Sequence, residues 1–153
     1  MSVTYTAAPL AELSPIDVHN LYKLRVDVYV AEQATPYAEI DDTDAHPDTL
    51  HLRSLNSDGR LIGCARLFPT PGRDDDIHFG RLVIAADARH AGLGSDMVRY
   101  ALEVVRERFP GRGVTLEAMA TLQDFYRALG FHVSGEEYLD TGVAHIPMTR
   151  REV

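Results

Sequence analysis

The segment Arg89-His90-Ala91-Gly92-Leu93-Gly94-Ser95 combines a cation with two glycines one residue apart. It lies between an apolar, strand-like run and an amphipathic, helix-like one. A strand–glycine loop–helix junction leaves the first N–H groups of the helix without intrahelical partners. Those donors point outward with the positive end of the helix dipole and form an anion site of phosphate size. The glycines admit a ligand close to the backbone, and Arg89 could add a charge-assisted contact. The plainer use of such a glycine pair is a tight turn into a helix. Two other phosphate-binding chemistries can be tested by spelling. A P-loop needs Gly-Lys followed by Ser or Thr, and no such tripeptide occurs. A dinucleotide fingerprint needs a third glycine, whereas the chain reads Gly92-Leu93-Gly94-Ser95-Asp96-Met97. Glu117 stands on the following strand, where a ribose-binding acid would be, which keeps a nicotinamide reading open.

The elements around this loop can be read from periodicity. SVTYTAA reads as a short strand. Ser14 and Pro15 start a helix, with Ser14 as cap and Pro15 at its first position. Leu21, Leu24 and Val28 continue a helical stripe, but Val26, Val28 and Val30 also alternate as a strand would, so the end of this element stays ambiguous. HLRSLN and RLIGCARLF flank Ser57-Asp58-Gly59 as a hairpin. IHFGRLVIA is a strand, and GSDMVRYALEVVRERF is an amphipathic helix with Met97, Ala101, Leu102, Val105 and Phe109 on its apolar side. Pro110-Gly111 ends that helix. VTLEAM, then TLQDFYRALG, then FHVSG and VAHIPMT read as strand, helix and final strands. Residues 32–49 and 69–76 read as loops within one fold rather than linkers. The expectation is a single mixed α/β domain over 1–153, with a parallel crossover from the strand at 77–85 through the helix to the strand at 114–119.

Composition narrows the function classes. The chain has 153 residues, enough for one core. With 45% hydrophobic and 25% charged residues it is ordinarily globular. Its net charge of −8 and its scattered basic residues argue against nucleic acid as a partner. One cysteine, Cys64, allows no internal disulfide and no cysteine-based zinc site; it reads as packed rather than nucleophilic. The acidic residues at 39–48 lack the glycine and terminal glutamate of a calcium loop, so no metal is expected, and the segment reads as a solvated charged loop. No apolar run approaches the ~20 residues of a membrane helix, and no basic segment opens a signal peptide. The expectation is a cytoplasmic protein with no membrane partner.

Phe125-Tyr126-x-x-x-Gly130-Phe131 completes a pattern. Together with Leu82-Val83-Ile84, Arg89-x-x-Gly92-x-Gly94 and the long helix, in that order, it resembles the GNAT superfamily of acyl-CoA-dependent N-acyltransferases. The N-terminal half is similar to the ElaA-type branch: Leu24-Arg25, Val28-Tyr29-Val30, Glu32-Gln33, Pro36-Tyr37, Glu39, Asp41, Asp44 and His51. Ala65-Arg66, Gly80-Arg81 and His145-Ile146-Pro147-Met148 extend the likeness over nearly the whole chain.

The resemblance implies acetyl-CoA as donor and a small-molecule or peptide amine as acceptor, attacked directly through a tetrahedral intermediate. It implies that the pyrophosphate rests on the amides of Arg89, His90, Ala91, Gly92, Leu93, Gly94 and Ser95. The pantetheine arm would add as a strand to Leu82, Val83 and Ile84, where a splayed sheet opens a cleft. Tyr126 corresponds to the tyrosine that protonates the leaving thiolate; the plainer role for such a residue is core packing. Related proteins carry an amide side chain seven residues earlier, where this chain has Met119. For the general base, Glu32, His51, Glu117, His145 and ordered water all stay open. Arg66 and Arg81, on strands, need an acidic partner that Glu32 or Glu117 would supply. These four form either structural ion pairs or a wall of the acceptor pocket. Two alternatives share the fold: a non-catalytic acyl-CoA-binding domain, and an acyl-homoserine-lactone synthase-like enzyme. A homodimer stays open.

Overall fold

The computed structural model describes residues 2–34, 37–70 and 76–153. Pro36, and most of the turn-rich stretch at 69–76, lie outside the described residues. Strand β1 (Thr4–Ala8) leads into α1 (Pro15–Val26). Ser14 Oγ accepts the Asp17 N–H at 3.1 Å, with Pro15 in the first turn, as expected. The ambiguous end is helical: the chain continues over Asp27–Glu32 with wide i→i+5 bonding, and the Gln33 N–H donates to the Val28 carbonyl at 2.9 Å. Burial explains the choice. A strand would put Val26, Val28 and Val30 on one face, yet Val28 is buried with Leu21 while Val26 and Val30 are exposed.

A helical turn, α2 (Asp42–Ala45), sits inside the stretch expected to be a loop. Strands β2 (Leu50–Leu55) and β3 (Leu61–Pro69) form the expected hairpin. At its tip Asn56 Oδ1 accepts the N–H groups of Asp58 and Arg60, and Gly59 takes φ +80°. Strand β4 (Asp76–Ile84), helix α3 (Leu93–Arg108) and strand β5 (Gly113–Met119) form the expected crossover. Then follow α4 (Gln123–Ala128), β6 (His132–Val133), β7 (Tyr138–Asp140) and β8 (Val143–Arg150). β7 was not foreseen, because its residues are all exposed and so carry no burial pattern.

The described strands form one mixed sheet in the order β1-β2-β3-β4-β5-β8-β6, with β7 also paired to β8. Helix α3 packs on one face, where Met97, Val98, Ala101 and Val105 meet Leu52, Leu67, Ile77 and Val114. Helix α1 packs on the other, where Leu21 and Val28 meet Cys64 and Val83.

Two features of β4 shape the site. It is parallel to β5 for only three residue pairs, Asp76–Gly113, Ile77–Val114 and His78–Thr115. Beyond them the strands part. On its other edge β4 bulges against β3: Cys64 pairs with Val83 and Arg66 with Gly80, so β4 carries one extra residue. Within the bulge Arg81 has φ +54°, a conformation uncommon for a side-chain-bearing residue. A bulge bends its strand, which turns β4 away from β5 at the place where their pairing ends.

Candidate active site

The glycine loop follows β4 and meets α3 at the mouth of this fork. Gly92 caps α3 with φ +76°, and no side chain caps the helix. A Cβ built on Gly92 would have no heavy atom within 4 Å. The start of α3 is thus left without a side-chain cap, as an anion site requires. His90 also takes a positive φ, +69°. Gly94 lies against α4, where a Cβ would sit 3.8 Å from the Phe125 ring. Leu82, Val83 and Ile84 run along the fork: β3 pairs one edge of β4 there, and no described strand pairs the other.

Arg89 does not face the loop's open side. Its guanidinium clamps Glu32, with Nη2 at 2.9 Å from Oε1 and Nη1 on Oε2, and Nε donates to the Ile84 carbonyl at 3.0 Å. Bonding to Arg89 holds the Glu32 carboxyl below its usual range. Glu32 is thus joined to Arg89, not to Arg66 or Arg81 as the sequence suggested.

Arg66 and Arg81 have other partners. Arg66 reaches Asp41 at 2.7 Å and Asp44 at 3.0 Å. Arg81 donates to the Glu39 carbonyl at 2.9 Å, touches Asp41 at 3.4 Å and lies over the Tyr37 ring. Arg25, only 1% exposed, bonds Glu39 at 2.8 Å and Asp44 at 2.6 Å. The acidic stretch is therefore not the solvated loop expected: Glu39 and Asp44 are buried counter-charges. Burial opposes ionisation of Asp44, but bonds from Arg25 and the Asp41 backbone outweigh it and hold the carboxyl low. His51, a candidate base, is enclosed in this network, its Nε2 2.9 Å from the Asp44 carbonyl oxygen, and burial lowers its pKa. Cys64 is buried, and burial pushes its thiol up to about 12, the packed role foreseen.

Tyr126 is buried in the α3-side core, edge-on to Phe125 and Phe131. Its hydroxyl bonds no described residue, and burial pushes its pKa up to about 12, so it holds its proton at neutral pH. Glu117 and His145 lie on the opposite face. Glu117 is exposed there and accepts the Tyr138 hydroxyl at 2.7 Å. Tyr138 stacks on His145, whose Nδ1 lies 2.9 Å from the Val143 carbonyl oxygen. Met119 is 40% exposed and pairs across the strands with His145.

Beside Glu117 runs a groove of about 540 Å³ whose lining includes Thr70, His78, Thr115, Ser134 and Thr149. None of these five residues was singled out from the sequence. The alternation Thr115, Glu117, Met119 in VTLEAM was the available signal, because it marks one face of β5. His78 tilts against Phe68, and burial with Arg66 and Arg81 nearby lowers it to about 4, so its ring is uncharged at neutral pH.

A profile described as an acetyltransferase (GNAT) domain matches residues 26–152. The chain belongs to the GNAT family. Protein ElaA of Escherichia coli is 32% identical over 143 residues, covering 94% of this chain and 93% of that protein. Its crystal structure superposes with a TM-score of 0.90 over 97% of this chain and 99% of that one, at 30% identity. An acyl-CoA N-acyltransferase from Pseudomonas aeruginosa gives the same TM-score, 0.90, at 34% identity with 97% and 99% coverage. A UPF0039 protein of Mycobacterium tuberculosis is 37% identical over 134 residues, 87% of this chain and 83% of that one. The open mixed sheet is thus the GNAT fold, and the chemistry this fold supports is acyl transfer from an acyl-CoA to an amine. No helix among the described residues is long and apolar enough to cross a membrane.

Proposed function

We propose that this GNAT chain, acting as one domain over 1–153 in the cytoplasm, moves an acetyl group from acetyl-CoA to a primary amine. The observation that carries the reading is the fork between β4 and β5, with the uncapped start of α3 following β4, Tyr126 in the core on one face of the sheet and Glu117 exposed on the other. The loop Arg89–Ser95 holds the pyrophosphate through backbone N–H groups, and the free edge at Leu82–Ile84 takes the pantetheine as an added strand. Arg89 serves the loop indirectly, by clamping it to Glu32 and to the end of β4. Arg66 and Arg81 act likewise, holding the bulge that bends β4.

The acetyl thioester is the activated group that the co-substrate supplies. Glu117 accepts a proton from the incoming ammonium. The freed nitrogen forms the C–N bond, the C–S bond breaks, and Tyr126 gives its proton to the departing sulfur. The second nitrogen proton passes to water, from which Tyr126 is reprotonated. Met119 favours a second reading, an acyl-CoA-binding domain without turnover, because its thioether lacks the hydrogen bonds an amide would give there.

Calorimetry with acetyl-CoA, S-adenosylmethionine and NAD in parallel tests the donor. Micromolar binding of acetyl-CoA alone is expected. Silence from acetyl-CoA, or binding of S-adenosylmethionine, would refute the reading. Release of CoA in the presence of amines then separates turnover from binding alone.

A further inference from the structure

Strand register maps the groove in rows on the α1 side of the sheet. One row crosses the last paired step of the fork: Phe68 on β3, His78 on β4, Thr115 on β5 and Thr149 on β8. The next row lies just beyond the fork point and holds Arg66, Gly80, Glu117 and Pro147. Gly80 leaves the β4 side open, since the nearest heavy atoms to a Cβ there are on His78, at 3.7 Å and beyond. Glu117 therefore faces a gap where the strands diverge.

The two rows differ in chemistry. The Glu117 row offers a carboxylate, one oxygen of which already accepts Tyr138. The row behind it carries neutral, mostly hydroxyl-bearing side chains, and the two guanidiniums near it, Arg66 over the Phe68 ring and Arg81, are engaged by Asp41, Asp44 and the Glu39 carbonyl. Thr115 Oγ1 lies 3.4 Å from His78 Nδ1 and 3.5 Å from Thr70 Oγ1, and Thr149 Oγ1 donates to Ser134 Oγ at 2.9 Å. His78 carries no charge at neutral pH. Among the described residues that line the groove the cation is Arg151, which is joined to Asp76. A carboxylate entering this row would give up water for neutral hydroxyls, whereas a hydroxyl or amide could donate and accept among them. Adjacent same-face positions on a strand are about 6–7 Å apart.

We propose that this groove is the acceptor site, and that it selects a primary ammonium carrying a neutral hydroxyl or amide about 6–7 Å from the nitrogen, against one carrying a carboxylate there. The inference rests on the acetyltransferase reading. Three amines of equal length test it: 4-aminobutanol, 4-aminobutyrate and pentylamine, scored by CoA release after acetyl-CoA binding has been confirmed by calorimetry. The expected order of kcat/KM is aminobutanol first, by at least tenfold over aminobutyrate. Thr115→Val should narrow the ratio of aminobutanol to pentylamine about fivefold. Glu117→Gln should lower kcat/KM at least tenfold for all three without changing acetyl-CoA affinity. Equal or better use of aminobutyrate overturns the proposal, as does a Thr115→Val loss equal for aminobutanol and pentylamine. Bound acetyl-CoA with no transfer to any of the three overturns the acceptor class and leaves the donor site standing. No binding of acetyl-CoA removes both.

Discussion

Tyr126 illustrates how far a residue type alone can be read. Its spacing fits equally a packed aromatic and a proton donor, and the fold packs the ring without engaging the hydroxyl. Its ring is core, while its hydroxyl bonds no described residue and its proton is held by burial. As the proposed acid it is removable without a cavity. Tyr126→Phe should lower kcat by about 10²-fold or more while leaving acetyl-CoA affinity within twofold, measured by single-turnover kinetics and calorimetry. An unchanged rate would return the residue to packing alone. Gly92 makes a complementary case. Its φ of +76° disfavours any side chain, but a Cβ meets nothing, so strain and charge can be separated. Asn tolerates the left-handed region. Gly92→Asn should therefore fold and retain binding, and Gly92→Asp should bind acetyl-CoA at least tenfold more weakly than the Asn variant; equal affinities would mean that no phosphate sits there. The glycine loop was legible as a backbone feature, because glycine spelling reports where the chain turns through a left-handed residue into a helix. Arg89 was not, because a cation beside a phosphate loop has the same spelling whether it turns toward the ligand or, as here, toward Glu32.

At the scale of elements, β4 matters most, and its shape depends on a segment distant in sequence. The bulge at Arg81 is held by the stretch containing α2, through Asp41 and the Glu39 carbonyl. That stretch is in turn locked to α1 by Arg25. The strands other than β7, their order along the chain and the parallel crossover were legible from period-2 and period-3.6 patterns. The buried acids were not. Acidic residues among turn formers ordinarily mark solvent, and only three-dimensional pairing with Arg25, Arg66 and Arg81 brings Glu39 and Asp44 inside. The need for acidic partners to the strand arginines was sound physics, but sequence cannot say which acids come near. Because the charges are buried and bonded, removing one strands the others. Arg25→Met should cost about 3–5 kcal/mol, seen as a Tm lower by roughly 6–20 °C. At temperatures where it stays folded, its acetyl-CoA affinity should also fall, because the strap on β4 loosens. A Tm within 2 °C of the parent would show that the network contributes no net stability.

For the whole molecule, Tyr126 lies in the core on the α3 face and Glu117 is exposed on the α1 face, so the proposed acid and base stand on opposite sides of the sheet. The same arrangement builds a pH dependence into the fold. His78 and His51, on the α1 side, have pKa values below the ordinary ~6.5 because burial disfavours their charged forms. For both, the unfolded chain binds more protons than the folded one between the two pKa values. Their stabilising contribution is complete above about pH 6.5 and is lost as pH falls toward the folded value, about 4 for His78. Asp41 and Asp44, also lowered, add their loss only below the ordinary carboxylate range. The acidic excess of the chain, −8 at neutral pH, works weakly the other way, since protonation relieves self-repulsion. The buried imidazoles should dominate between pH 6.5 and pH 4.5, because their cost is local and unscreened. Urea midpoints measured from pH 7.5 to pH 4.5 should therefore fall steadily, and His78→Gln should flatten that fall whatever its effect at pH 7.5. A parent midpoint constant across this range, or an unchanged slope in the variant, would mean that His78 becomes protonated in the fold as readily as in water.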